Sequence, residues 1–81
     1  MYLGVREYYQ HQGIGQALIN RIEAWALNHH IRRIEATVVT ENINAIELFK
    51  GMGFQIEGEL KDKLFINQKY YNEYVMAKIL N

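Results

Sequence analysis

The 81-residue chain contains no cysteine, so a disulfide framework, thiolate-bound zinc, iron–sulfur clusters and a thiol nucleophile are all excluded. Proline is also absent, which removes rigid linkers and X-Pro isomerisation and leaves nothing to mark an internal domain boundary. Neither sign of charge is in excess: nine Lys plus Arg face nine Asp plus Glu, and the longest run of like charge is Arg32-Arg33. No nucleic acid or membrane partner held by bulk electrostatics is expected. No apolar run approaches the ~18 residues of a membrane helix, and Met1-Tyr2-Leu3-Gly4-Val5 has neither a basic lead-in nor a sustained apolar stretch. Neither a span nor a signal peptide is expected, and a cytoplasmic location follows.

What is present is the material for a core. Hydrophobic residues make up 49% and charged residues 22%, close to ordinary globular chains. The length allows one compact unit, residues 1–81.

The first five residues read as an extended apolar stretch that begins without a turn. After the polar stretch Arg6 to Gln12 and the pair Gly13 and Gly15, the spacing of Ile14, Leu18, Ile22 and Trp25 predicts a helix over about 13 to 29, with Trp25 in its core stripe. Ile34 to Val39 is alternating and rich in β-branched residues, which predicts a strand. Asn42 is the expected N-cap of a second helix, about 43 to 52, which carries Ala45, Ile46, Phe49 and Met52 on one side. Gly53 suits the left-handed position beyond it, and Phe54 the hydrophobic contact that follows such a cap. From Phe54 the period becomes two, Asn67-Gln68 is the expected turn, and Tyr70 to Leu80 returns as a partner strand. The expected class is α/β with a mixed sheet, in the order β-α-β-α-β-β.

A strand–helix–strand crossover puts the glycine turn at the carboxyl end of the first strand, where ligands bind in open sheets. Gln10-His11-Gln12-Gly13-Ile14-Gly15 ahead of an amphipathic helix suits phosphate, since glycine admits close approach and the helix start offers N–H groups. The same residues fit a plain glycine turn, and spacing alone does not choose. A dinucleotide turn would need a third glycine where Leu18 stands, and no Walker A pattern occurs.

Two separated motifs resemble the GCN5-related N-acetyltransferase (GNAT) family. Val5 through Leu18 is similar to its signature, in which a strand ends in valine and [Q/R]-x-x-G-x-[G/A] opens a helix. Asn42 through Phe54 looks like its N-x-x-A-x-x-L-[Y/F]-x-x-x-G-F. The resemblance implies the C-terminal half of an acyl-CoA N-acyltransferase fold, a single partial domain with sheet order first, second, fourth, third strand, the first two splaying around pantetheine. It implies acetyl-CoA as the acetyl donor and an amine of a small molecule or peptide as acceptor. Backbone groups near Val5 would pair with pantetheine, N–H groups from Gln10, His11, Gln12, Gly13, Ile14, Gly15 and Gln16 would hold the pyrophosphate, and the Asn42 side chain would touch the cofactor.

The family's usual general-acid tyrosine position is Phe49 here, so no catalytic acid is assigned. Glu35, Glu41 and Glu73 are candidate bases, with nothing in the spacing to raise one above the others. Two alternatives stand beside an acetyltransferase: a catalytically incomplete CoA-binding or partner module, and the remnant of a truncated enzyme. An apolar edge strand at residues 1 to 5 favours a homodimer by strand pairing or swapping. His29-His30 reads as a solvated helix end rather than a metal site. Tyr70, Tyr71 and Tyr74 read as packing residues.

Overall fold

A computed structural model describes the backbone of residues 2–4 and, in full, residues 15–80. The elements run β1 (Tyr2–Gly4), α1 (Gly15–Asn28), β2 (Arg33–Val39), α2 (Ile43–Gly51), β3 (Gln55–Ile66) and β4 (Lys69–Ile79). They form one sheet in the order β1-β2-β4-β3, as the resemblance implied. β1 pairs with β2 in parallel, Tyr2 opposite Glu35 and Gly4 opposite Thr37, while β2, β4 and β3 are antiparallel.

Strand alternation sorts the sheet into two faces. Ile34, Ala36 and Val38 of β2 and Met76 of β4 turn to one side and join Ile19 and Ala26 of α1 with Ala45, Ile46 and Phe49 of α2 and Phe54 in a single core. The opposite face carries Glu35, Thr37 and Val39 of β2 beside Glu73, Val75 and Ala77 of β4.

The buried side of α1 differs from the expected stripe. Gly15, Ile19 and Ala26 are buried, with Ile22 packed against them, whereas Leu18 is 39% exposed and Trp25 49% exposed. Ile14 lies outside the described residues. The stripe through 15, 19, 22 and 26 also recurs at helical spacing, and its small members let the helix lie close to the sheet. Trp25 packs instead along its own helix, its ring stacked on His29 with centroids 4.0 Å apart. His29 and His30 lie at an exposed helix end, where His29 Nδ1 donates to the Trp25 carbonyl at 2.8 Å.

Both helices close in the same way. In α2, Gly53 at φ +94° donates to Lys50 O at 3.0 Å, and Phe54 N donates to Phe49 O at 2.9 Å. In α1, His30 at φ +60° donates to Leu27 O at 3.2 Å, and Ile31 N donates to Ala26 O at 2.9 Å. These crossed bonds satisfy the last carbonyls and need a left-handed residue at the cap. Gly53 takes that conformation freely, while His30 takes it at a cost.

Asn67 and Gln68, at φ +51° and +65°, form the expected two-residue turn between β3 and β4. β3 is irregular: Glu57 is an extra residue between the pairs Ile56–Met76 and Gly58–Val75, and Lys61 to Lys63 bulge opposite Asn72. Asn72 holds that bulge, since its Oδ1 accepts from Asp62 N at 2.8 Å and its Nδ2 donates to Glu59 at 2.7 Å. β2 pairs with β4 only from Glu73 to Ile79, so the hairpin tip reaches beyond β2 and leaves Phe65 and Tyr70 exposed against each other, ring centroids 4.7 Å apart.

Candidate active site

Parallel pairing of β1 and β2 sets their carboxyl ends at one end of the sheet. α1 runs the opposite way. Its Glu23 accepts from Lys78 Nζ at 3.0 Å, and Lys78 lies opposite Ile34 at the start of β2. Gly15, eight residues earlier in the helix and therefore about 12 Å back along its axis, points to the carboxyl end of β2. α2 starts at that end as well, after the three residues Thr40, Glu41 and Asn42 that follow β2. Two helix N-termini therefore gather where the first two strands finish, an arrangement suited to an anionic ligand.

Of the residues expected to hold a cofactor, Val5, Gln10, His11, Gln12, Gly13 and Ile14 lie outside the described residues. Gly15 is buried and Gln16 exposed in the first turn of α1, which carries no acidic residue. A bound anion would therefore meet no competing carboxylate in that turn.

Asn42 is buried at the start of α2 and acts as its N-cap: Oδ1 accepts from Ala45 N at 3.2 Å, while its own N–H donates to Val39 O at 2.9 Å. The cap commits the oxygen of its side chain and leaves the amide nitrogen as the group able to donate to a ligand. Phe49 is fully buried, edge to face with Phe54 at 4.9 Å, so the tyrosine position of the resemblance serves as core.

The three candidate carboxylates are placed very differently. Glu35 accepts from Arg33 Nη2 at 2.8 Å on the half-exposed sheet face, and Arg33 also donates to Glu57 at 2.6 Å. The hydrogen bond from Arg33 holds the Glu57 carboxyl below its ordinary value. Glu41 sits in the loop before α2 and accepts from Lys69 at 3.1 Å, a hydrogen bond that raises the Lys69 ammonium. Glu73, by contrast, is 4% exposed. It lies in central strand β4 opposite Val39, the last residue of β2, and opposite Leu60 of β3. Its neighbour Asn72 accepts from Thr40 N at 3.0 Å, which ties this point to the loop leading into α2.

The signal that singles out Glu73 was present in the sequence as a row: Tyr71, Glu73, Val75 and Ala77 alternate on one face, so an acid interrupts an otherwise apolar period of two. Tyr74 packs against the core, Tyr71 lies under the Lys69 ammonium at 4.9 Å, and Tyr70 is exposed on the hairpin tip rather than packed into the core. Among the described residues no group of three His, Asp or Glu side chains could hold a metal ion. No helix among them is long and apolar enough to cross a membrane.

Comparison with known proteins gives a consistent result. The family described as acetyltransferase (GNAT) domain matches residues 1–75. The L-amino acid N-acetyltransferase AaaT of Escherichia coli is 33% identical over 72 residues, a match that covers 88% of this chain and 44% of that protein. A GNAT-family acetyltransferase from Streptococcus pneumoniae superposes with a TM-score of 0.77 at 33% identity, covering 83% of this chain and 41% of that one. The spermidine/spermine N-acetyltransferase SpeG of Vibrio cholerae superposes with a TM-score of 0.79 at 30% identity, covering 84% and 41% of the two chains. The chain thus spans less than half the length of each of these proteins.

Proposed function

The chain belongs to the GNAT acetyltransferase family, and from that premise we propose that it carries the cofactor-binding part of an N-acetyltransferase that moves an acetyl group from acetyl-CoA to an amine. One observation carries the reading. At the carboxyl end of the parallel pair β1–β2, α2 has its N-terminus capped by Asn42, while α1 opens on buried Gly15 with no carboxylate in its first turn. That end suits a pyrophosphate, and among the described residues Gly15, Gln16 and Asn42 fit the group.

In this reading the backbone near Val5 pairs with the pantetheine arm, and N–H groups from Gln10, His11, Gln12, Gly13, Ile14, Gly15 and Gln16 hold the pyrophosphate. The Asn42 amide nitrogen donates to the cofactor while its oxygen keeps the cap. Acetyl-CoA supplies a thioester carbonyl open to an amine. Because an amine with an ordinary pKa near ~10 is protonated at neutral pH, the acceptor arrives as a cation and must lose a proton before it reacts. The acceptors named for related proteins, L-amino acids and spermidine, carry ammonium groups at neutral pH. The cysteine-free composition is in keeping with the cytoplasm.

β1 is an end strand of the sheet, and a homodimer formed by pairing or exchange at that edge belongs to the proposal. A stable monomer at micromolar concentration in light scattering would remove it.

A second reading, a module that binds CoA without turnover, is favoured by one observation: Phe49 offers no hydroxyl where the resemblance places a proton donor. Calorimetric titration of CoA into the chain tests the cofactor site, with Gly15→Val as control. Saturable binding that the substitution abolishes is expected. No binding by the folded chain would overturn both readings. Release of free CoA thiol from acetyl-CoA and a polyamine then separates an enzyme from a binding module.

A further inference from the structure

We infer that the Glu73 carboxylate is the seat of an aliphatic primary ammonium group of the acceptor, an inference that rests on the amine-acetylation reading and narrows it to one residue. Glu73 is the only carboxylate among the described residues that is buried, at 4% exposure. Its partners across the sheet are Val39 and Leu60, and its neighbours on the same face of β4 are Tyr71 and Val75. None of these carries a positive charge, and no hydrogen bond or ion pair joins the Glu73 side chain to another of the described residues.

Among the described residues, the cations with ion-pair partners are engaged elsewhere: Arg33 with Glu35 and Glu57 at the far end of β2, Lys69 with Glu41, and Lys78 with Glu23 on the helix side of the sheet. A carboxylate left alone in apolar surroundings is costly, and an ion or a strong donor offsets that cost. No fully enclosed side-chain oxygen lacks a partner among the described residues, so the Glu73 carboxylate oxygens share in the small exposure the residue keeps.

The position suits an acceptor. Glu73 faces away from α1 and α2, whose packing fills the other side of the sheet, so a second ligand can reach it without crossing the core. It lies level with the last residue of β2, at the sheet end where both helices begin. Val39, Leu60 and Val75 offer apolar contact to an alkyl stem, as they would to a lysine side chain. The Tyr71 ring two residues along already holds an ammonium, that of Lys69, at 4.9 Å. A primary ammonium has three donors, enough to bond both carboxylate oxygens. Glu35 and Glu41, each held by a cation of this chain, do not offer such a seat.

The test is an NMR titration of the full chain with n-butylammonium chloride and, separately, with n-butanol, its uncharged counterpart. The expected result is saturable movement of the Glu73, Val39 and Leu60 amide signals by butylammonium, with binding at least about tenfold tighter than butanol. Glu73→Gln, which keeps the size and removes the charge, should erase that preference while the CoA titration is unchanged. Equal affinity for the two probes in the parent chain would overturn the inference. So would a Glu73→Gln chain that retains the preference, or one that no longer folds, since the carboxylate would then have a structural partner. The CoA titration stands apart: absent CoA heat with the ammonium preference intact would sink the acetyl-CoA reading and support the seat.

Discussion

The backbone N–H of Phe54 donates to the carbonyl of Phe49 at 2.9 Å, and the two rings meet edge to face with centroids 4.9 Å apart. One local motif therefore both ends α2 and fixes the direction in which β3 leaves it. The hydrogen bond sets the reversal, and the ring contact anchors it in the core.

The residue that permits this reversal is Gly53. A Cβ there would face φ +94° and lie 3.3 Å from Lys78 Cε, so Gly53→Ala should lower stability by about 1–2 kcal/mol, read from denaturant midpoints. His30 holds the equivalent place after α1 at φ +60°, and His30→Gly should raise stability by about 1 kcal/mol. Opposite signs from two changes at equivalent caps would be hard to obtain any other way. Equal signs would reject the shared motif.

Asn42 supports α2 and, in the proposed reading, the cofactor. Asn42→Ala should cost about 1 kcal/mol of stability by uncapping the helix. Asn42→Asp keeps the capping oxygen and should recover most of that loss, yet it removes the amide donor and adds a charge beside an anionic ligand. Thermal melts and CoA calorimetry on the same variants should therefore diverge for Asp and agree for Ala.

Arg33 and Glu57 give a pH dependence of known sign. The hydrogen bond from Arg33 depresses the Glu57 carboxyl in the folded chain, so their interaction favours folding above the ordinary carboxylate range and fades as pH falls through the depressed value. An NMR titration should find Glu57 below its ordinary value in the parent and back within that range in Arg33→Gln. Unchanged titration of Glu57 in the variant would show that the guanidinium does not set it.

The Lys78–Glu23 pair is the most enclosed ion pair among the described residues, with side chains 26% and 16% exposed, and it joins α1 to β4. A double-mutant cycle with Lys78→Met and Glu23→Gln should return a coupling of about 1 kcal/mol. A coupling near zero would mean that helix packing alone holds the orientation of α1.

Much of the fold was legible because its signals are local. The Gly53 cap, the Asn42 cap and the Asn67-Gln68 turn each depend on residues next to one another, and all three are found in the structure. The face of α1 was not legible in the same way, because Ile14-Leu18-Ile22-Trp25 and Gly15-Ile19-Ile22-Ala26 are two helical stripes that share Ile22 and otherwise differ by one residue. A reading weighted by side-chain size chooses the first, while close packing on the sheet selects the second. The site divides similarly. Asn42 was visible through its motif, but the distinction among Glu35, Glu41 and Glu73 needed the strand register, which no short window of sequence contains. The bulges of β3 and the left-handed His30 likewise follow from tertiary demands rather than from residue preference.

The placement of β4 between β2 and β3 bears on the order in which the chain acquires its structure. The β3–β4 hairpin closes through a two-residue turn, whereas β2 meets its partner β4 only across an intervening helix and strand, and β1 meets β2 only across α1. Short closures form in microseconds, and longer ones carry a larger loop entropy. The hairpin is then the natural template on which β2 docks, and β1, an end strand that joins the sheet through β2 alone, is the first to open. Hydrogen exchange should be slowest in the centre of β4 and fastest along β1.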